Sequence, residues 1–193
     1  MKISGKFVLK VAGTLTVISL VVAALLGVVN MVTEDKIDAI NAEKTNQALA
    51  AVAPEGAEFT PVELSDAAVA AASAYGTLDS MYEMSTGGYA MKIVASGSQG
   101  SIEMIVGVDG NKALTGVSVV NHSETGGIGT KVINNDPSTA GTPVLDQFIG
   151  KVLSNGEALV VGKNISPISG ATVTTKGITA GCNAALAAVE AMG

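Results

Sequence analysis

At 193 residues, with 23 Gly and 48% hydrophobic content, the chain has room for one membrane segment and one modest domain. All 17 acidic residues lie after Thr33 against eight of the 11 basic ones, so that part is strongly anionic and unsuited to nucleic acid, which needs a basic face. Every basic residue is Lys, so no guanidinium fork can grip a phosphate, and a single Cys182 and a single His122 exclude an internal disulfide and argue against a protein-only zinc or haem site.

Residues 11–33 (VAGTLTVISLVVAALLGVVNMVT) carry no charge, with Lys2, Lys6 and Lys10 before them and Glu34 and Asp35 after. At 1.5 Å per residue such a run spans a hydrocarbon core of about 30 Å. The lysines hold the N-terminus in the cytoplasm and send the rest across. A cleaved signal peptide would have a shorter apolar run and a small-residue cleavage site. A pilin-type helix would carry a glutamate near the start of the run. Residues 34–52 have apolar positions at loosely helical spacing and predict a helix continuing outward. Pro54 and Pro61 interrupt it, and the Ala-rich stretch 66–75 predicts a second short helix or an ordered spacer.

The period then changes. Residues 89–95 (YAMKIVA) and 101–108 (SIEMIVGV), separated by SGSQG, predict a hairpin. Asp109-Gly110-Asn111 supplies the next turn, 113–120 (ALTGVSVV) a third strand and 158–162 (ALVVG) a fourth. Residues 173–192 predict a helix whose Ile178, Cys182, Leu186 and Val189 face a core. The expected fold class is α+β: one N-terminal transmembrane helix, then a mainly antiparallel sheet with packed helices.

Three clusters carry candidate chemistry. Ser169-Gly170-Ala171-Thr172 stands where loop meets final helix; Gly170 and Ala171 leave room for a large planar group, and Thr172 sits where a helix start exposes unpaired N–H groups and its positive dipole end to a phosphate. The bland alternative is an ordinary helix cap, since Ser169, Thr172, Thr174 and Thr175 are residues that helix starts prefer. His122-Ser123-Glu124-Thr125-Gly126-Gly127-Ile128-Gly129 is either a site or a flexible surface loop, and Asp146-Gln147-Phe148-Ile149-Gly150-Lys151 looks like a helix end stopped at Gly150.

In this order, SQGSIEMIVGVD, HSETGGIG, QFIGK and SGATVTT resemble the FMN-binding domain family, whose pattern runs from a Gly-rich strand pair through H-x-E-T-P-G-x-G and Q-F-x-G-K to S/T-G-A-T-x-T. The likeness covers the chain from about Tyr82 onward. Gly126 stands where the pattern has Pro, and Ser166 where an upstream Asp is usual. Within the family the chain is most similar to the flavin-carrying subunit of Rnf-type complexes, and also resembles the corresponding subunit of the sodium-pumping NADH:quinone reductase.

The resemblance implies FMN joined through its phosphate to Thr172, and electron relay in a ferredoxin:NAD oxidoreductase complex coupled to Na+ or H+ movement. Ser169, Gly170, Ala171 and Thr175 would flank the attachment point, and His122, Glu124, Thr125 and Gly129 would contact the flavin or its neighbouring loop. No side chain is expected to act as a catalytic acid or base. Implied partners are a flavin transferase and the membrane and iron–sulfur subunits of the complex. The expected organisation is a cytoplasmic N-terminus (1–10), a transmembrane helix (11–33), a helical connector (34–80) and an extracytoplasmic FMN-binding domain (81–193). A tether makes physical sense here. With no Arg or Trp, and only Phe59, Phe148, Tyr75, Tyr82 and Tyr89 as aromatics beyond the span, such an acidic surface would hold free FMN poorly, whereas a phosphodiester cannot dissociate. If 169–172 only caps a helix, the domain is instead a membrane-tethered binding or assembly module without redox function.

Overall fold

The computed structural model describes residues 5–153 and 156–193. The chain divides into two compact units, Met1–Glu43 and Lys44–Gly193. The first is the greater part of α1 (Gly5–Val52), whose apolar side chains, such as Leu9, Leu20 and Leu26, are exposed on the helix surface. By length and composition this helix can cross a membrane. The hydroxyls of Thr14, Thr16 and Thr33 each donate to a carbonyl one turn earlier, at 2.9 Å, which satisfies them where no water would.

The second unit is built on a five-stranded antiparallel meander, β1 (Phe59–Val62), β2 (Thr77–Met84), β3 (Tyr89–Ser96), β4 (Ser101–Val108) and β5 (Leu114–His122), in the spatial order β1-β2-β3-β4-β5. The Ala-rich stretch forms α2 (Asp66–Ala72), capped by the Ser65 hydroxyl, which accepts from the Ala68 N–H at 3.2 Å. After β5 come a short α3 (Gly129–Ile133), a single 3-10 turn (Asp146–Phe148) and the long α4 (Thr172–Met192). The architecture is the expected α+β arrangement.

One face of the sheet receives α4 and α2. Met91, Ile93, Ile102, Met104, Val106 and Val108 alternate inward from β3 and β4, and meet Ile178, Cys182, Leu186 and Val189, all buried as their spacing predicts. Close approach is permitted by small residues: a Cβ on Gly177 would lie 2.5 Å from the Ser96 carbonyl oxygen, and one on Gly181 would strike the Met104 side chain. Burial pushes the Cys182 thiol up, so it stays protonated and inert. The opposite face carries a smaller cluster in which Ala48, Leu49 and Val52 cover Met84, Ala90, Ile105 and Val120.

Two elements differ from the sequence reading. The stretch 158–162 is not a strand: Val161 makes one isolated bridge with Ile165, and the Leu159 backbone is taken by a side chain instead. Asn183 accepts from the Leu159 N–H at 2.8 Å and donates to its carbonyl at 2.9 Å, mimicking a strand partner from within α4. Conversely, β1 and the start of β2 arise within the stretch expected to be a helical connector. A bulge between Leu78 and Ser80 shifts the register of β2, so its buried residues fall at Leu78, Met81 and Met84 rather than alternately. β1 is short and contains Pro61, tolerable on an edge.

Asn183→Ala removes both partners of a buried peptide group. It should cost about 1–3 kcal/mol, read as a lowered denaturation midpoint with an unchanged m-value.

Candidate functional site

Gln147 of the QFIGK stretch sets the approach to α4. Its amide oxygen accepts from the Ser166 N–H at 2.8 Å and its amide nitrogen donates to the Ser166 carbonyl at 3.0 Å, so at this position it is the backbone that is gripped. The buried Phe148 anchors the turn, which ends at Gly150 with φ 76°. The chain then turns at 168–171, closed by the Ala171 N–H donating to the Ile168 carbonyl at 3.0 Å, with Gly170 at φ 84° where the third position of a type II turn needs a positive φ. Ala171 is buried and leads directly into α4.

The alternative in which Ser and Thr hydroxyls merely cap this helix is not met. The N-cap is Ala171, with no side-chain cap bond. The N–H groups of Thr172, Val173 and Thr174 find no backbone carbonyl among the described residues and point, with the positive end of the helix dipole, out of its N-terminus. The three threonines are not equivalent. The buried Thr175 donates its hydroxyl to the Ala171 carbonyl at 3.0 Å, and the buried Thr174 donates to Glu124 Oε2 at 2.5 Å. Thr172 is exposed, and its hydroxyl has no hydrogen bond among the described residues. Ser169 is exposed in the preceding turn.

Glu124 lies at the centre. It is buried, yet both carboxylate oxygens are occupied: besides Thr174, Oε1 accepts from the Ser98 N–H at 2.6 Å and the Gln99 N–H at 3.3 Å. The half-buried His122 supports it from behind, its Nδ1 accepting from the Glu124 N–H at 3.2 Å. The loop is ordered despite Gly126: the Gly127 N–H donates to the Thr130 hydroxyl at 2.8 Å and the Ile128 N–H to the Thr125 carbonyl at 3.2 Å.

These contacts enclose a cavity of about 130 Å³ lined by the β3–β4 turn at Ser98, by Glu124, Thr125, Ile128 and Gly129, and by residues 170–174. Two of the three sequence clusters therefore meet there; His122, Ser169 and Thr175 stand behind the lining. A larger groove of about 510 Å³ lies by Tyr75, Val94 and Ala180 and is lined by no residue of the HSETGGIG, QFIGK or SGATVTT stretches, so size does not mark the site. Sequence reasoning gave no role to Ile128 and Val173, although both lie within the quoted stretches; they line the small cavity and remain about half exposed, at 51% and 54%. Val173 could have been noticed, since it stands off the stripe of Ile178, Cys182, Leu186 and Val189 that faces the core.

Residues 97–187 match the FMN-binding domain family, and residues 1–52 match the RnfG N-terminal region. The chain is 31% identical over 199 residues to the G subunit of the Na(+)-translocating ferredoxin:NAD(+) oxidoreductase complex of Acetobacterium woodii, covering 94% of this chain and 91% of that one. The chain belongs to the G-subunit family of ion-translocating oxidoreductase complexes. The G subunit of the ion-translocating oxidoreductase complex of Methanosarcina acetivorans is 29% identical over 191 residues, 97% of each chain. That of Aliivibrio fischeri is 34% identical over 91 residues, 45% of this chain and 41% of that one.

FMN is the family's cofactor, and the donor set suits it in part and in a definite way. The donors at the cavity match the chemistry of a phosphoryl group: an exposed hydroxyl, three N–H groups without a backbone partner among the described residues, and the helix dipole. The cavity is too small for a tricyclic ring, and Ile128 and Val173 are the half-exposed apolar residues of its lining. No Arg is available, and Lys176 stands one helical turn beyond Thr172.

Gly129 tests how tightly the site is packed. In a helix Ala should be better than Gly by about 1 kcal/mol, but a Cβ on Gly129 would strike Glu124 Oε2 and lie 2.8 Å from Glu124 Cβ and 3.0 Å from Thr174 Oγ1. Gly129→Ala should therefore destabilise, by about 1–3 kcal/mol, in an equilibrium denaturant titration.

Proposed function

We propose that this chain is a membrane-anchored flavoprotein subunit that carries FMN in phosphoester linkage on Thr172 and relays electrons within an Rnf-type ferredoxin:NAD oxidoreductase complex coupled to Na+ or H+ translocation. The observation that carries the reading is the inequality of the threonines: of the three in SGATVTT, Thr172 alone offers an exposed, uncommitted hydroxyl at the start of α4. Membership of the G-subunit family supports the rest.

Attachment joins Thr172 Oγ1 to the phosphorus of the flavin phosphate. The hydroxyl proton leaves, and the bond from phosphorus to a leaving group breaks; a flavin transferase would supply the flavin with its phosphate activated as a pyrophosphate. FMN, when bound, would supply the redox chemistry of the site. The chain's residues do the holding. The free N–H groups of Thr172, Val173 and Thr174 receive the phosphate charge, and Ile128 and Val173 offer an apolar rest for the ring. None is positioned as an acid or base at the reacting centre. A single helix without charge between residues 11 and 33 provides no ion path. Cation movement therefore belongs to the other membrane subunits, and electrons arrive from and leave to redox centres such as iron–sulfur subunits.

Protein made with the transferase should be heavier than the bare chain by one FMN less one water, and should fluoresce as a flavin after denaturing electrophoresis. Thr172→Ala should abolish both with the fold retained; covalent flavin surviving in that variant would exclude the assignment.

The lysines before the span and the acids after it support an extracytoplasmic FMN domain. Because Cys182 is buried, a single thiol placed at the exposed Glu63 reports alone. Glu63→Cys should react with a membrane-impermeant maleimide on intact cells. Reaction only after permeabilisation would reverse the orientation.

A further inference from the structure

We propose that Glu124 is the positioning residue of the attachment site: by gripping Thr174 together with the backbone of Ser98 and Gln99, it holds the first turn of α4 so that Thr172 is the threonine offered for modification. This rests on the reading of Thr172 as the flavin acceptor.

Three segments distant in sequence converge on one carboxylate. It takes Ser98 N–H at 2.6 Å and Gln99 N–H at 3.3 Å on one oxygen and the Thr174 hydroxyl at 2.5 Å on the other. An ionised carboxylate is acceptor-only, with capacity for three or four donors, which matches this set of two amides and a hydroxyl. The packing around it leaves no space for a side chain at either neighbouring glycine. A Cβ on Gly97 would strike Glu124 Oε1, and one on Gly129 would strike Oε2, so two glycines make way for the carboxylate from opposite sides.

The consequence for Thr172 follows from helix geometry. Thr174 lies two residues on, roughly 200° around the helix. Fixing its side chain inward to Glu124 fixes the rotation of the first turn and leaves Thr172 facing out. The same bond withdraws the Thr174 hydroxyl from competition, as the Ala171 carbonyl withdraws that of Thr175. No hydrogen bond joins Glu124 to Thr172 among the described residues; Glu124 acts through Thr174 and the 98–99 backbone.

The test follows attachment over time on the full chain in detergent, made without flavin transferase and then supplied with that enzyme and a flavin dinucleotide. The Thr172 Oγ1–P bond forms, the donor's pyrophosphate P–O bond breaks, and the nucleoside monophosphate departs with the proton. Intact mass gives the rate, and peptide fragmentation gives the residue modified. Misplacing a reacting group by about 1 Å costs up to about 100-fold, so Glu124→Ala and Thr174→Val should slow attachment on the order of 10- to 100-fold. Thr174→Ser keeps the hydroxyl, and Glu124→Gln keeps an oxygen for the two amides and an N–H for Thr174; both should retain most of the rate.

Asn183→Ala, destabilised far from the site, separates position from stability and should attach at the rate of the unaltered chain. Unaltered rates in Glu124→Ala and Thr174→Val would overturn the proposal. So would equal slowing in Asn183→Ala, which would make stability the cause, or a loss in Glu124→Gln equal to that in Glu124→Ala, which would make charge the cause. Because Thr174→Val is nearly isosteric, it keeps the question open to refutation if Glu124→Ala does not fold. Flavin recovered on Thr174 or Thr175 of the unaltered chain would instead refute the Thr172 reading itself.

Discussion

The site depends on a carboxyl group held almost out of water. A buried carboxylate is tolerated only when its oxygens are supplied with donors, and Glu124 obtains them from two backbone amides and one hydroxyl drawn from separate parts of the chain. That requirement explains features that otherwise look unrelated. The β3–β4 turn must bend so that Ser98 and Gln99 present their N–H groups. The loop after β5 must bring Glu124 inward, and a glycine must stand at position 129. The first turn of α4 must show Thr174 rather than Thr172 to the interior. Remove the acceptor and three segments lose their common reference point.

The rest of the domain serves to bring that point to the surface. The sheet gives a floor, and the glycines of α4 let the helix lie close upon it. Gln147 and Asn183 grip irregular backbone as a neighbouring strand would. The long excursion between β5 and α4 contains little regular structure, yet its peptide groups at Leu159 and Ser166 are satisfied by side chains. An irregular segment can in this way be held as firmly as a strand.

Much of this was legible in the sequence, for identifiable reasons. β3 and β4 announce themselves by continuous β-branched and apolar residues, and α4 by the regular spacing of Ile178, Cys182, Leu186 and Val189. β2 was hidden because its bulge breaks the two-residue period, and β1 because four residues around a proline carry no period at all. ALVVG reads as a strand by composition, but tertiary context overrode propensity when Asn183 claimed the Leu159 backbone. At the site, the motif located Thr172 and Glu124 without revealing that Glu124 faces inward. Residue type says that a carboxylate can accept hydrogen bonds; only the packing says from whom. Ile128 and Val173 went unremarked because isolated exposed apolar residues are common on any surface.

The outward face of Thr172 also bears on the order of events in making the protein. A hydroxyl that becomes reachable only by unfolding would force modification to occur before the domain closes, in competition with folding. Here the reachable hydroxyl belongs to the finished domain, while its two neighbours are reachable only before closure. On the reading of Thr172 as the acceptor, folding would act as the proofreading step. On that reading, an enzyme that meets the completed domain is offered one threonine of SGATVTT, and haste, rather than delay, is what would put a group in the wrong place.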